Sequence, residues 1–312
     1  APWGIRRYHT SVMHDDKIYV MGGYNGTYVF GDIWSSADSG ATWAEVDIVS
    51  GYGSASGHSS FVHNGVIYII AAYKVWSSAD DGVTWVEASA DIGWGGLRRF
   101  QGSVVCGDVI YVLGGLVSNI AVNDIWSSAD WGVTWAEVLP TSGSYWEPRS
   151  DLGAVVYDSN IYVMGGWKNY TTFNDVWSSS DGCLTWVEVT AAAGWGVRHK
   201  FTSLVYKTKI YIMGGSNHTY AGYSDLWSSD DGGVTWSEEM NPTGWSGRFG
   251  HSSVIQNDQI FVIGGTGGND VWYYKLIDSI VGTGTHEKRV AVGVWVSVNV
   301  ALVGWVLVGF MK

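Results

Sequence analysis

The chain has 312 residues, of which 15% are charged, and it carries 43 glycines and 20 tryptophans. That is enough for one large domain or two ordinary ones, and the aromatic supply excludes a disordered polypeptide. A net charge of −12 argues against nucleic acid as a partner, because phosphates demand a basic surface.

The start, Ala1-Pro2-Trp3 without Met, is what signal-peptide removal or trimming would leave. The first predicted strand is YHTSVMH (8–14), called a here. The second, b, is IYVMGG (18–23), continuously apolar and closed by two glycines, as expected of a strand buried on both faces. A loop with the sequon Asn25-Gly26-Thr27 leads to strand c, DIWSS (32–36). A turn and strand d, TWAEV (42–46), complete the unit.

This unit recurs. Runs like IYVMGG begin at Ile18, Ile67, Ile110, Ile161, Ile210 and Ile260, about 50 residues apart. The turn segment WSSADSGATW (34–43) recurs at 76–85, 126–135, 177–186 and 227–236. No unit has sustained helical periodicity. Six four-stranded units, each unable to bury its two faces alone, predict an all-β, six-bladed β-propeller of antiparallel blades over 1–276, with a linker and hydrophobic C-terminal tail over 277–312.

A Gly-Gly pair ending b, Asp-x-Trp on c and Trp on d together resemble the kelch repeat. The c–d turn resembles the Asp-box of sialidase-type propellers, S-x-D-x-G-x-T-W, with Asp38, Asp80, Asp130, Asp181 and Asp231 at its centre. Blade four has Cys183 at the box glycine, and blade six has no box. Asp and Ser can bond the turn's own amides, so the boxes are expected to be structural.

Chain direction places the d–a and b–c loops on one face and the a–b and c–d turns on the other. The first set varies, and variable loops on a regular scaffold carry binding. The d–a loops repeat a pair, Trp3/Arg6, Trp94/Arg98, Trp146/Arg149, Trp195/Arg198 and Trp245/Arg248, replaced in blade two by Tyr52 and Ala55. These are candidate ligand-binding residues, arginine for anions and tryptophan for sugar faces. The favoured expectation is that each arginine pairs with the Asp opening strand c, Asp32, Asp124, Asp175, Asp225 or Asp270, because blade two lacks the Asp just where it lacks the Arg. Three residues after the arginine stand His9, His58, Gln101, Leu152, Phe201 and His251. They are expected to pack rather than to hold a metal.

Asn25, Asn169 and Asn217 each begin an N-x-Thr sequon just after a Gly-Gly pair, pointing to a glycosylated extracellular or cell-surface protein. Cys106 and Cys183 make no disulfide framework. Blade two shortens its b–c loop to Tyr73-Lys74, predicting a notch flanked by aromatic loops. The expected function is a non-catalytic binding or assembly module for a protein or glycan, without cofactor. The alternative is a propeller enzyme acting on an acidic sugar, sialidase- or mutarotase-like.

The tail 290–312 has an uncharged run long enough for a membrane helix, and also a period of two in valines. The favoured expectation is a β-strand within 290–308 that completes blade six or joins a neighbouring subunit. The alternatives are a membrane-spanning helix and a lipid-anchor signal.

Overall fold

The structure, a computed structural model, describes residues 1–47, 51–89, 92–141, 145–241, 243–275 and 295–297. It is a ring of six antiparallel four-stranded sheets, each with its strands in chain order from the channel outward. Blade one shows the pattern: Thr10–His14, Lys17–Tyr24, Val29–Ser36 and Ala44–Asp47. In blade three a short extra strand, Arg98–Arg99, pairs with the end of b.

Strand b explains the continuous apolar runs. Ile18 and Val20 join a core cluster with Phe261, Ile263 and Val271 of blade six, whereas Tyr19 and Met21 join Ile67 and Ile69 of blade two. Side chains alternate along a strand, so both faces must be apolar when a blade lies on either side. Each fully buried aliphatic contributes about 1.5–3 kcal/mol. The same arrangement repeats around the ring, so the core is a set of interblade seams.

Two belts of backbone hydrogen bonds close the ring. The second glycine of blades one, three, four, five and six donates to a carbonyl of the next blade, as in Gly115 N to Arg149 O at 2.9 Å and Gly265 N to Arg6 O at 3.0 Å. Blade two, with alanines there, instead has Ala72 O accepting from Arg98 N at 3.1 Å. Blades six and one are tied further by Asn269, whose Nδ2 donates to the carbonyls of Ala1 and Trp3, both at 2.9 Å.

Blade six takes its outer strand from Trp295–Ser297, paired antiparallel with Trp272–Tyr274. The rest of the predicted tail, 277–294 and 298–312, lies outside the described residues. No described helix is long and apolar enough to cross a membrane.

Candidate functional site

The d–a loops enter strand a through a repeated four-residue register, and each position has a different physical task. The first is the arginine. Arg6, Arg98, Arg149, Arg198 and Arg248 are 0–1% exposed. Each makes a two-pronged pair with the strand-c aspartate, as in Arg6 to Asp32 at 2.7 and 2.8 Å and Arg198 to Asp225 at 2.8 and 2.8 Å. The same guanidinium donates to the first glycine of the pair, Arg149 to Gly165 O at 3.0 Å. The strand-c tryptophan donates to the same carboxylate, Trp177 to Asp175 at 2.8 Å. Burial works to raise the Asp32 carboxyl, but hydrogen bonds from Arg6 and Trp34 hold it below the ordinary range. Trp3, Trp94, Trp146, Trp195 and Trp245 are buried behind the loops. The first four meet the tryptophan closing the c–d turn of their own blade, Trp3 and Trp43 at 4.3 Å, edge to face, whereas Trp245 lies 6.0 Å from His251. These ten candidates therefore stand together as the wall of each blade. Blade two, lacking the arginine, places Lys74 at the aspartate position, and Lys74 pairs with Glu87 at 2.7 Å. That charge reversal was readable from the sequence by aligning Lys74-Val75-Trp76 with Asp-x-Trp.

The third position of the register forms the channel mouth: Tyr8, Gly57, Phe100, Asp151, Lys200 and Gly250. All six have positive φ, between 53° and 65°. Their amides and carbonyls bond head to tail around the axis, from Tyr8 N to Gly250 O at 2.7 Å through to Gly250 N to Lys200 O at 2.9 Å. The two glycines make room for neighbouring rings. A Cβ on Gly57 would lie 2.5 Å from Phe100, and one on Gly250 would lie 2.8 Å from Tyr8. Tyr8 and Phe100 meet edge to face at 5.1 Å. The six residues and those that follow them line a small open-mouthed cavity of about 140 Å³.

Charge at this mouth differs from the rest of the molecule. Lys200 lies against three rings: 4.7 Å from Tyr220, 5.4 Å from Tyr8 and 5.5 Å from Phe249. Arg7 stacks on Tyr8 and Tyr24, and Arg99 on Phe100. Asp151 is half-buried; desolvation pushes its carboxyl up to about 6 against the opposing pull of Lys200, Ser150 and Arg99. Burial, then the Asp151 charge, also raises the Tyr8 phenol. The sequence reading passed over this position because four of its six residue types differ; the signal was the recurrence of glycine, Gly57 and Gly250, beside the aromatic Phe100 and Tyr8 of the next blade.

The fourth position holds the three predicted histidines. Each reaches back to the preceding blade: His9 Nε2 donates to Ile263 O at 3.1 Å, while His58 and His251 bond the hydroxyls of Thr10 and Thr202 at 2.9 and 3.0 Å. Desolvation lowers them to about 3, 4 and 3 respectively, so they are neutral staples at pH 7. The described residues contain one grouping with metal-ligand atoms in reach, His14, Asp15 and Asp81 on the opposite face. There Asp81 is bonded to His14 at 3.0 Å and Lys17 at 2.9 Å.

That opposite face is built from near-identical c–d turns. Ser36 Oγ donates to Asp38 at 2.9 Å and accepts from Gly40 N at 2.8 Å; Asp38 accepts from the Thr42 amide and hydroxyl at 2.7 and 2.6 Å. The turns centred on Asp80, Asp130, Asp181 and Asp231 repeat these bonds. The Thr134 hydroxyl and amide hold Asp130 below the ordinary carboxylate range. Cys183, where the other c–d turns have glycine, sits fully buried at φ 71° in the seam with blade three. Both cysteines are free thiols.

The sequons lie in b–c loops beside the mouth. Asn25 Oδ1 accepts from the amides of Thr27 and Tyr28 at 2.8 and 2.7 Å, and Asn217 Oδ1 from the Thr219 hydroxyl at 2.6 Å. Asn169 is exposed, next to Tyr170 at 88% exposure.

The class of protein defined by these features is a six-bladed, Arg–Asp-latched β-propeller with a variable loop face. The family pattern described as the KLHDC2/KLHL20/DRC7 Kelch-repeats domain matches residues 96–265, and the Kelch motif matches residues 5–35. The chain belongs to the kelch-repeat family. No curated protein matches it.

Proposed function

We propose that this chain is a non-catalytic protein-recognition module of the extracellular space or cell surface that reads an acidic partner with its upper, d–a and b–c face. The observation that carries the reading is a charge contrast. In a chain of net charge −12, the cations Arg7, Arg99 and Lys200 gather at the mouth around a single mouth carboxylate, Asp151. The lower face instead presents the box aspartates and the a–b turn aspartates Asp15, Asp16, Asp108, Asp158 and Asp258. Complementary charge steers a partner to one face and orients it.

Glycans on Asn25, Asn169 and Asn217 belong to the same reading. The c–d turns, read as Asp-boxes, then serve the scaffold. Pairing of 295–297 with 272–274 supports a tail that works for the propeller, within one ring or between subunits. Asp151 is the feature that favours the enzymatic alternative, since a carboxyl raised to about 6 suits proton transfer. An acidic sugar recovered chemically unchanged after incubation with the protein supports recognition, and turnover supports the alternative.

The test is affinity capture from extracellular fractions by the intact chain and by the Arg7→Glu/Arg99→Glu/Lys200→Glu variant, with the bound protein identified and its charge established. The reading expects an acidic partner held by the native chain and lost by the variant. Equal retention contradicts it.

A further inference from the structure

The mouth carboxylate is built unlike the latch carboxylates. Asp32 and Asp270 each accept two guanidinium hydrogen bonds and one from a strand-c indole. Burial works to raise both, and these bonds hold them below the ordinary carboxylate range. Asp151 accepts from Ser150 Oγ at 3.0 Å, and there burial outweighs the pull of Lys200, Ser150 and Arg99. Its backbone is fixed in the closed ring at φ 53°, its amide donating to Phe100 O at 2.9 Å and its carbonyl accepting from Lys200 N at 3.0 Å. The ionised carboxylate therefore opposes folding rather than latching it, at a position that lines the mouth cavity with Tyr8 and Lys200. A carboxyl held at a cleft against its preference for water is a candidate for function.

We propose that Asp151 is an electrostatic brake on anion recognition by the upper face, released when its carboxyl takes up a proton. The inference rests on the reading of that face as a surface for an acidic partner and adds how the surface is regulated. Arg7, Arg99 and Lys200 stand at the mouth on blades one, three and five, and Asp151 stands on blade four, between Arg99 and Lys200. Ionised, it draws on those two cations and repels an incoming anion; protonated, it leaves the three cations unopposed at the mouth. The other groups facing it keep their charge state across the same interval. His9, His58 and His251 line the cavity with it, and burial lowers them to about 3, 4 and 3. Burial also lowers His199, beside Lys200, to about 4. Burial, then the Asp151 charge, raises the Tyr8 phenol. Asp151, raised by burial to about 6, loses its negative charge as pH falls through that value, so affinity for an anion rises in acid. By linkage, a bound anion holds the proton on Asp151.

The test uses the intact chain and a rhodamine-labelled peptide of cysteic acids, whose sulfonates stay charged throughout, titrated from about pH 7.5 to about pH 5 in low salt so that surface charges are weakly screened. All proteins carry His218→Gln, because that exposed imidazole lies on the blade-five loop beside the mouth. The proposal expects affinity to rise about three- to tenfold across this range, with a midpoint near 6. Calorimetry in buffers of unlike ionisation enthalpy should show proton uptake on binding near that midpoint. Asp151→Asn should bind at about pH 7.5 as tightly as the parent binds at about pH 5, lose the pH dependence, and keep a thermal midpoint no lower than the parent's. A flat affinity profile, binding without proton uptake, or an Asp151→Asn variant that keeps the pH dependence overturns the proposal. The first two read the native carboxyl and hold even where the variant fails to fold. The Arg7→Glu/Arg99→Glu/Lys200→Glu variant separates the two claims. Loss of peptide binding in that variant beside a flat profile in the parent sinks the brake alone. Retained binding in that variant, or no binding by the parent at any pH, sinks the recognition reading with it.

Discussion

The two faces of this propeller are made by the same strands and obey different rules. On the lower face, five c–d turns repeat one set of hydrogen bonds, and each turn satisfies its own polar groups. On the upper face, the six mouth residues share one backbone conformation and one hydrogen-bond ring yet carry six unlike environments. Uniform side chains make the lower face a scaffold. Varied side chains on a uniform backbone make the upper face a surface that can change its ligand without changing its fold.

The largest effect should come from breaking the latch between strand c and the d–a loop. Arg149→Met strands the Asp175 carboxylate, 13% exposed, and should cost about 3–5 kcal/mol in denaturant unfolding. A smaller cost would mean that water reaches Asp175 freely. Next comes a mouth substitution that couples the two rules. Gly57→Ala puts a Cβ into the Phe100 ring at a φ of +65°, so a loss of about 1–3 kcal/mol is expected, together with altered upper-face binding. Unchanged stability would show that Phe100 is free to move aside. On the lower face, Ser128→Ala removes a buried hydroxyl that joins Gly132 N to Asp130, and about 1 kcal/mol should be lost with upper-face binding intact. Weakened binding there would break the separation of the faces.

Acid should reveal the staples. His9, His58, His199 and His251 have folded values of about 3 to 4, depressed chiefly by burial, while the unfolded chain titrates near 6.5. Between those values the unfolded state binds more protons, so stability is present above pH ~6.5 and is lost as pH falls, by up to about 1.4 kcal/mol per pH unit for each histidine. Asp151, raised to about 6, acts in the opposite sense between pH ~4 and 6, but as one group against four. Unfolding free energies measured from pH 7 to 4 should therefore fall. A flat profile would mean that the imidazoles reach water.

Repetition made the scaffold legible. The b-strand runs, the Gly-Gly pairs and the Arg–Asp alternatives recur, so register alone located blades, turns and loop faces. The mouth was not legible for the opposite reason. Tyr8, Phe100, Asp151 and Lys200 share a backbone φ rather than a residue type, and Lys200 of blade five reaches Tyr8 of blade one, far away in sequence. Ring contacts across Gly57 and Gly250 exist only once the circle closes. The joint loss of arginine and aspartate in blade two made Arg6 a latch rather than an anion ligand in the sequence, and the structure sets it 2.7 Å from Asp32 at 1% exposure.

The most direct test of the division of labour compares charge changes on the two faces in one assay. The Arg7→Glu/Arg99→Glu/Lys200→Glu variant and a lower-face Asp15→Lys/Asp108→Lys/Asp158→Lys variant would be titrated beside the native chain against the captured partner. Recognition by the upper face predicts at least about a tenfold loss in the first and an affinity within about threefold of native in the second. Equal losses in both, or loss confined to the lower-face variant, would contradict it.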